Sequence, residues 1–125
     1  MSSTDDIIKA SIKQQLINKN NSYQGIINDL KMYSKKISDD IDSWNTIKNK
    51  YMSNCALINN INSKNKFEGV SAEYFDDKFP NAIESLNSIF SNAKDLITDI
   101  SIQIGTLEAK IKSNQTEITK LDSSN

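Results

Sequence analysis

Apolar residues recur every seven positions along both halves of the chain. In the first half, steps of seven from Leu16 reach Tyr23, Leu30, Ile37, Trp44, Tyr51 and Ile58 without meeting a charged or amide side chain. Three residues beyond each lie Lys19, Ile26, Tyr33, Asp40, Ile47, Asn54 and Ile61, apolar about half the time, with Ile27, Ile41 and Cys55 beside them. A 3.6-residue turn returns to nearly the same side after seven residues, so this spacing lines one face of a helix. The pattern predicts a first helix over about residues 4–63.

The second half behaves alike. Ile83, Phe90, Ile97, Ile104, Ile111 and Ile118 form one series of sevens, and Phe79, Leu86, Ala93, Ile100, Leu107, Asn114 and Leu121 form another. A third, Phe75, Ala82, Ile89 and Leu96, widens the apolar face and stops at Gln103. A second helix is predicted over about 71–121, with Ser71 as a candidate N-cap for an otherwise orphan backbone N–H. Between the stripes, residues 64–70 hold Lys64, Asn65, Lys66, Glu68 and Gly69, which reads as a turn. The sole proline, Pro80, either kinks a helix that begins near Ser71 or occupies the first turn of one that begins near Phe79.

Folding the stripes together about that turn aligns Leu16 with Ile118, Tyr23 with Ile111, Leu30 with Ile104, Ile37 with Ile97, Trp44 with Phe90 and Tyr51 with Ile83. The second row pairs Ile12 with Leu121, Ile26 with Leu107, Tyr33 with Ile100 and Ile47 with Leu86. The expected fold is all-α: a single domain, 1–125, forming a long antiparallel two-helix hairpin. Two helices bury only the stripe that each turns to the other, and apolar surface left over marks an interface. The hairpin is therefore expected to complete a helical bundle with partner chains. The residues expected at that interface are Phe75, Ala82, Ile89 and Leu96, together with Ile27, Ile41 and Trp44. The default reading of Trp44, a stripe position, is hairpin core, with an anchor in a partner's groove as the alternative, and Asn114 either fixes register at a seam position or lies at a frayed end.

Composition narrows the chemistry. The 125 residues carry a net charge of -1, from 15 basic and 16 acidic side chains spread without long single-sign blocks. Every basic residue is Lys, so the bidentate guanidinium that reads phosphate and guanine is missing, and no nucleic-acid partner is expected. With no His and one Cys, neither a Cys/His metal centre nor an internal disulfide is expected. Cys55, beside Asn54, Ala56 and Leu57, reads as a packing residue. The carboxylates Asp39, Asp40, Asp42, Asp76 and Asp77 read as a solvated helix face and a helix start, not as an acid/base site. The three glycines, Gly25, Gly69 and Gly105, form no phosphate loop or dinucleotide fingerprint. No enzyme activity and no cofactor are expected. The N-terminal MSSTDDIIKASIKQQ lacks the basic flank and continuous apolar run of a Sec signal. Acids accompany the lysines on both polar faces, so direct membrane insertion is not expected either.

One tripeptide adds a family expectation. Phe67-Glu68-Gly69 in the turn of a helical hairpin resembles the aromatic-x-Gly motif of the WXG superfamily of type VII secretion, with Phe67 where Trp is usual. The chain resembles most the small helical partners of LXG polymorphic toxins, the YwqH-like proteins. The resemblance implies that Phe67 is the turn aromatic and Gly69 the residue that lets the chain reverse. It further implies a targeting factor or chaperone that packs on the helical N-terminal domain of a secreted toxin, with a second small helical protein or a second copy as further partners. The expected location is then the cytoplasm, or co-secretion through the type VII system, and the Lys, Asn and Ile-rich composition suits an AT-rich Gram-positive genome. The family's Tyr-x-x-x-acid export signal is missing: Tyr23, Tyr33, Tyr51 and Tyr74 are followed at that spacing by Ile27, Ile37, Cys55 and Lys78. Either a partner carries the signal, or the likeness is one of hairpin geometry. The alternative function is a homo-oligomeric structural coiled coil without a secretion role.

Overall fold

The computed structural model describes the backbone of residues 3–65 and 70–123 and the side chains of residues 3–54 and 81–123. Two α-helices account for all of it: α1 (Ser3–Asn65) and α2 (Val70–Ser123). The fold is all-α, with the two helices packed against each other as a hairpin. The turn motif expected at Phe67 and Gly69 lies outside the described residues. Because α2 starts at Val70, Ser71 falls in its first turn and Pro80 lies well inside it, which removes the option of a helix beginning near Phe79.

Local sequence supports these helices only moderately. Asn and Ser, abundant in α1, are poor helix formers, so a helix of 63 residues depends on burying one face against a neighbour. The ends are better provided for. Asp5 and Asp6 sit in the first turn of α1 and Lys120 in the last turn of α2, each complementing the local end of the helix dipole. Along the exposed faces, Gln14 donates to Asn18 and Gln24 to Asn28, and the hydroxyls of Thr46, Thr106, Thr116 and Thr119 donate to carbonyls one turn back.

The chain divides into two compact units, one of Met1–Lys35 with Thr98–Asn125 and one of Lys36–Ile97. In the first, the terminal unit, Asn114 Nδ2 donates to Asn20 Oδ1 at 3.0 Å, and Asn20 Nδ2 donates to the Ile111 carbonyl at 3.3 Å. In the second, the central unit, the rings of Trp44 and Phe90 lie 6.2 Å apart. Both contacts belong to one antiparallel register, the one that aligns Leu16 with Ile118 and Ile37 with Ile97. The buried and half-buried positions of α2, from Ile83 through Leu86, Phe90, Ala93, Ile97 and Ile100 to Ile118 and Leu121, follow the two predicted series without a break.

The inner row of α1 differs from the expectation by one residue. Beside Leu16, Tyr23, Leu30 and Ile37, the inward side chains are Asn20, Ile27, Ser34, Ile41 and Lys48, four residues further on and not three. Ile27 is only 1% exposed and Ile41 is buried, whereas Tyr33 is 54% and Ile47 63% exposed, and Ile26 also lies in water. Extending the register of the Asn20–Asn114 and Trp44–Phe90 contacts aligns Ile27 with Leu107, Ser34 with Ile100, Ile41 with Ala93 and Lys48 with Leu86. The reason is electrostatic. An inner row three residues on would bury Asp40 opposite Ala93 and Lys19 opposite Asn114, and an unpaired buried charge such as that of Asp40 costs several kcal/mol, on the order of the penalties known for buried ions. The adopted row buries Asn20 instead, which finds Asn114, and Lys48, whose stem lies along the seam while its amine reaches the edge.

Candidate functional site

A helix in a two-helix seam has a flank on each side of its buried stripe. Turning one helix end for end, as an antiparallel hairpin does, brings like flanks of the two helices to the same side. In the central unit one side carries Ser38, Asn45 and exposed Met52 of α1 with Asn87 and Lys94 of α2; in the terminal unit one side carries half-buried Ile17, Gln24 and Lys31 of α1 with Ser101, Glu108, Gln115 and Asp122 of α2. Two contacts place this side. Lys48 Nζ donates to Asn87 Oδ1 in the central unit, and Lys13 pairs with Asp122 at 2.8 Å in the terminal unit.

The opposite side differs between the units. In the terminal unit, Ile12, Ile26 and Tyr33 of α1 share it with Gln103, Lys110 and Glu117 of α2, and the Lys110 amine sits 5.7 Å from the centre of the Tyr23 ring. The long polar side chains of α2 there border the apolar ones of α1 and can lay their stems along them. In the central unit both helices turn apolar residues to this side: Trp44 and Ile47 from α1, and Ile89 and Leu96 from α2, with half-buried Ala82 in the same row.

Trp44 joins the seam to this outer strip. Its ring packs on Phe90, tilted by 33°, yet the residue stays 40% exposed. The Lys48 amine also lies over the Phe90 ring, 5.5 Å from its centre, which is cation–π distance. Phe90 is buried with Trp44 and Lys48 among its neighbours, and part of the tryptophan is left to water.

Among the residues expected at a partner interface, Ile89 and Leu96 are 47% and 49% exposed, Trp44 is partly exposed and Ala82 is half-buried. Phe75 lies outside the residues whose side chains are described. Ile27 and Ile41 are a correction. Both are buried against α2 in the hairpin's own seam, so neither offers surface to a second chain. Ile47, in contrast, was assigned to the seam by spacing and belongs to the outer strip. The signal that could have revealed it was Asn20, the one position of α1 that gives Asn114 an amide partner in the register already set by the apolar pairs.

The strip of the central unit offers apolar surface. Among the described residues there is no group of three or more His, Cys, Asp or Glu placed to hold a metal ion, and no helix long and apolar enough to cross a membrane. A groove of about 230 Å³ in the terminal unit is lined by Asp6, Lys9, Ala10, Lys13, Leu121 and Asp122, charges of both signs around two small apolar patches. Compared with known proteins, the chain matches no family model, no curated protein and no solved structure.

Proposed function

We propose that this chain is a non-enzymatic helical partner protein, a targeting factor or chaperone that binds the helical N-terminal domain of a type VII secretion substrate such as an LXG-type toxin. The observation that carries this reading is the outer strip of the central unit. Trp44, Ile47, Ile89 and Leu96 all face water on one side of the central unit, whose opposite side carries Ser38, Asn45, Asn87 and Lys94 beside Met52. Contiguous exposed apolar side chains with polar surroundings are the mark of a surface that works covered. A helix of a larger protein laid along the strip would complete a three- or four-helix bundle, and the resemblance at Phe67 and Gly69 supplies the class of larger protein.

The second reading is a homo-oligomeric structural coiled coil, favoured by the unbroken seven-residue repeat of α2. Native mass spectrometry on the tagged chain, purified gently from its own bacterium, separates the two. Recovery of a larger chain that starts with a long helical region is the expected result. Recovery of only a dimer or tetramer of this chain would replace the partner role with the structural one.

A further inference from the structure

Resting on that partner role, we propose that the free chain covers its strip with a second copy of itself, related by a two-fold axis through Ile89, and that a partner's helix displaces this copy to bind. Apolar side chains left in water on the central unit need cover whether or not a larger chain is present. What selects a second copy is its fit, which one axis provides and its neighbours do not.

A two-fold axis that sets α1 on α1 and α2 on α2 runs each row of the strip antiparallel to its own copy, so that facing residue numbers sum to a constant. Placed at Ile89, the axis crosses α1 level with Asn45 in the register of the Trp44–Phe90 contact. Ile89 then meets Ile89, and Leu96 meets the small Ala82 of the second copy. On α1 the two copies of Trp44 come together beside the axis and Ile47 meets Ser43. Asp40, the one charged residue in the strip's own rows within this unit, meets Lys50 of the second copy. The neighbouring axes that keep the repeat fail. One midway between Ile89 and Leu96 sets Ile47 on Lys36 and Ala82 on Gln103, one midway between Ala82 and Ile89 sets Ile47 on Lys50, and one at Leu96 sets Ile89 on Gln103. Setting α1 on α2 instead, with the axis along the helices, lays Asp40 over Leu96.

Asp40 also stands one turn from Lys36 on its own helix, while the α2 rim offers Ser85 and Asn92 here, with Asp99 next in that row in the terminal unit. The pair between copies therefore adds to a local one, and exchanging Asp40 with Lys50 isolates it.

The test uses the full chain at about 100 µM, a concentration that populates an interface below standard size. Sedimentation is expected to find a dimer, weakened about tenfold by Asp40→Lys at unchanged helicity. Adding Lys50→Asp should restore association, because the two charges are exchanged across the axis while the local contact with Lys36 stays lost. In a Cys55→Ser background, Ile89→Cys should cross-link two copies on mild oxidation, and Ile102→Cys, at an α2 position 60% exposed and away from the strip, should not. A monomer at this concentration, a double variant as weak as Asp40→Lys, or equal cross-linking at the two positions overturns the proposal. So does a larger chain recovered with the pair cross-linked at residue 89 intact, since the partner then binds without displacing the copy. Native recovery of a larger chain by a protein that is monomeric alone would sink the self-covered strip and leave the partner role standing. A dimer with the expected cross-link and no larger chain recovered would sink the partner role and leave the dimer.

Discussion

The terminal and central units share one register and one helical repeat, yet they handle polar residues in opposite ways. The terminal unit places its polarity inside, at the Asn20 and Asn114 layer, and its one strongly apolar outer row, on α1, is bordered by Gln103, Lys110 and Glu117 of α2. The central unit keeps its seam more apolar but leaves Trp44, Ile47, Ile89 and Leu96 outside. A seam that contains a paired amide specifies its own alignment, because any slip strands an amide against hydrocarbon. An apolar outer strip gives the opposite: little specification within the chain, and surface for something else. The difference teaches that two stretches with the same repeat can serve different ends, one fixing the hairpin and one presenting it.

The largest effect that could break this comparison concerns inside against outside. Ile27→Ala should destabilise the hairpin by about 2–5 kcal/mol, the usual range for truncating a fully buried aliphatic side chain, whereas Ile47→Ala should stay within about 0.5 kcal/mol. Urea denaturation followed by circular dichroism measures both. Comparable losses at the two sites would mean that α1 is rotated from the orientation described.

Next comes the amide layer. Asn114→Leu alone should cost about 1–2 kcal/mol, because Asn20 loses its partner inside the seam. Adding Asn20→Leu should recover that loss and exceed wild-type stability while loosening register, seen as doubled or broadened amide resonances in a nitrogen–proton NMR spectrum. A double variant with one sharp set of resonances would show that the apolar layers hold the register unaided.

Smaller effects sharpen the contrast between seam and surface. Gly25 and Gly105 lie within the helices of the terminal unit, and a Cβ built on either meets nothing within 4 Å. Alanine at each should raise stability by about 0.5–1 kcal/mol, the ordinary gain for relieving a mid-helix glycine, read as a higher melting temperature. The smallest change is expected at Lys13 and Asp122, a pair whose side chains are 39% and 53% exposed. Asp122→Asn should cost less than about 0.5 kcal/mol and nothing measurable at high salt.

What the sequence by itself determined is the helical repeat. Its apolar series place Leu16, Tyr23, Leu30 and Ile37 inward on α1 and set the inner face of α2 from Ile83 to Leu121, because every seventh residue in those series is apolar apart from Asn114. The outward placement of Ile89 and Leu96 was legible too, as a third apolar row that a two-helix seam has no room to bury. What only the tertiary structure decided is the rotation of α1 about its own axis. On that helix the rows three and four residues beyond Leu16 mix polar and apolar side chains almost equally, so periodicity could not rank them. The choice depends on what each row meets across the seam: Asp40 would meet the hydrocarbon of Ala93, while Asn20 meets Asn114 and Lys48 reaches Asn87. That rotation moved Ile27 and Ile41 from a presumed interface into the core and carried Ile47 outward, and the reversal of chain direction then set Ile47 on the same side as Ile89 and Leu96. A polar side chain is tolerated or refused by its partner across the seam, and that partner is fixed by packing rather than by the pattern of either helix alone.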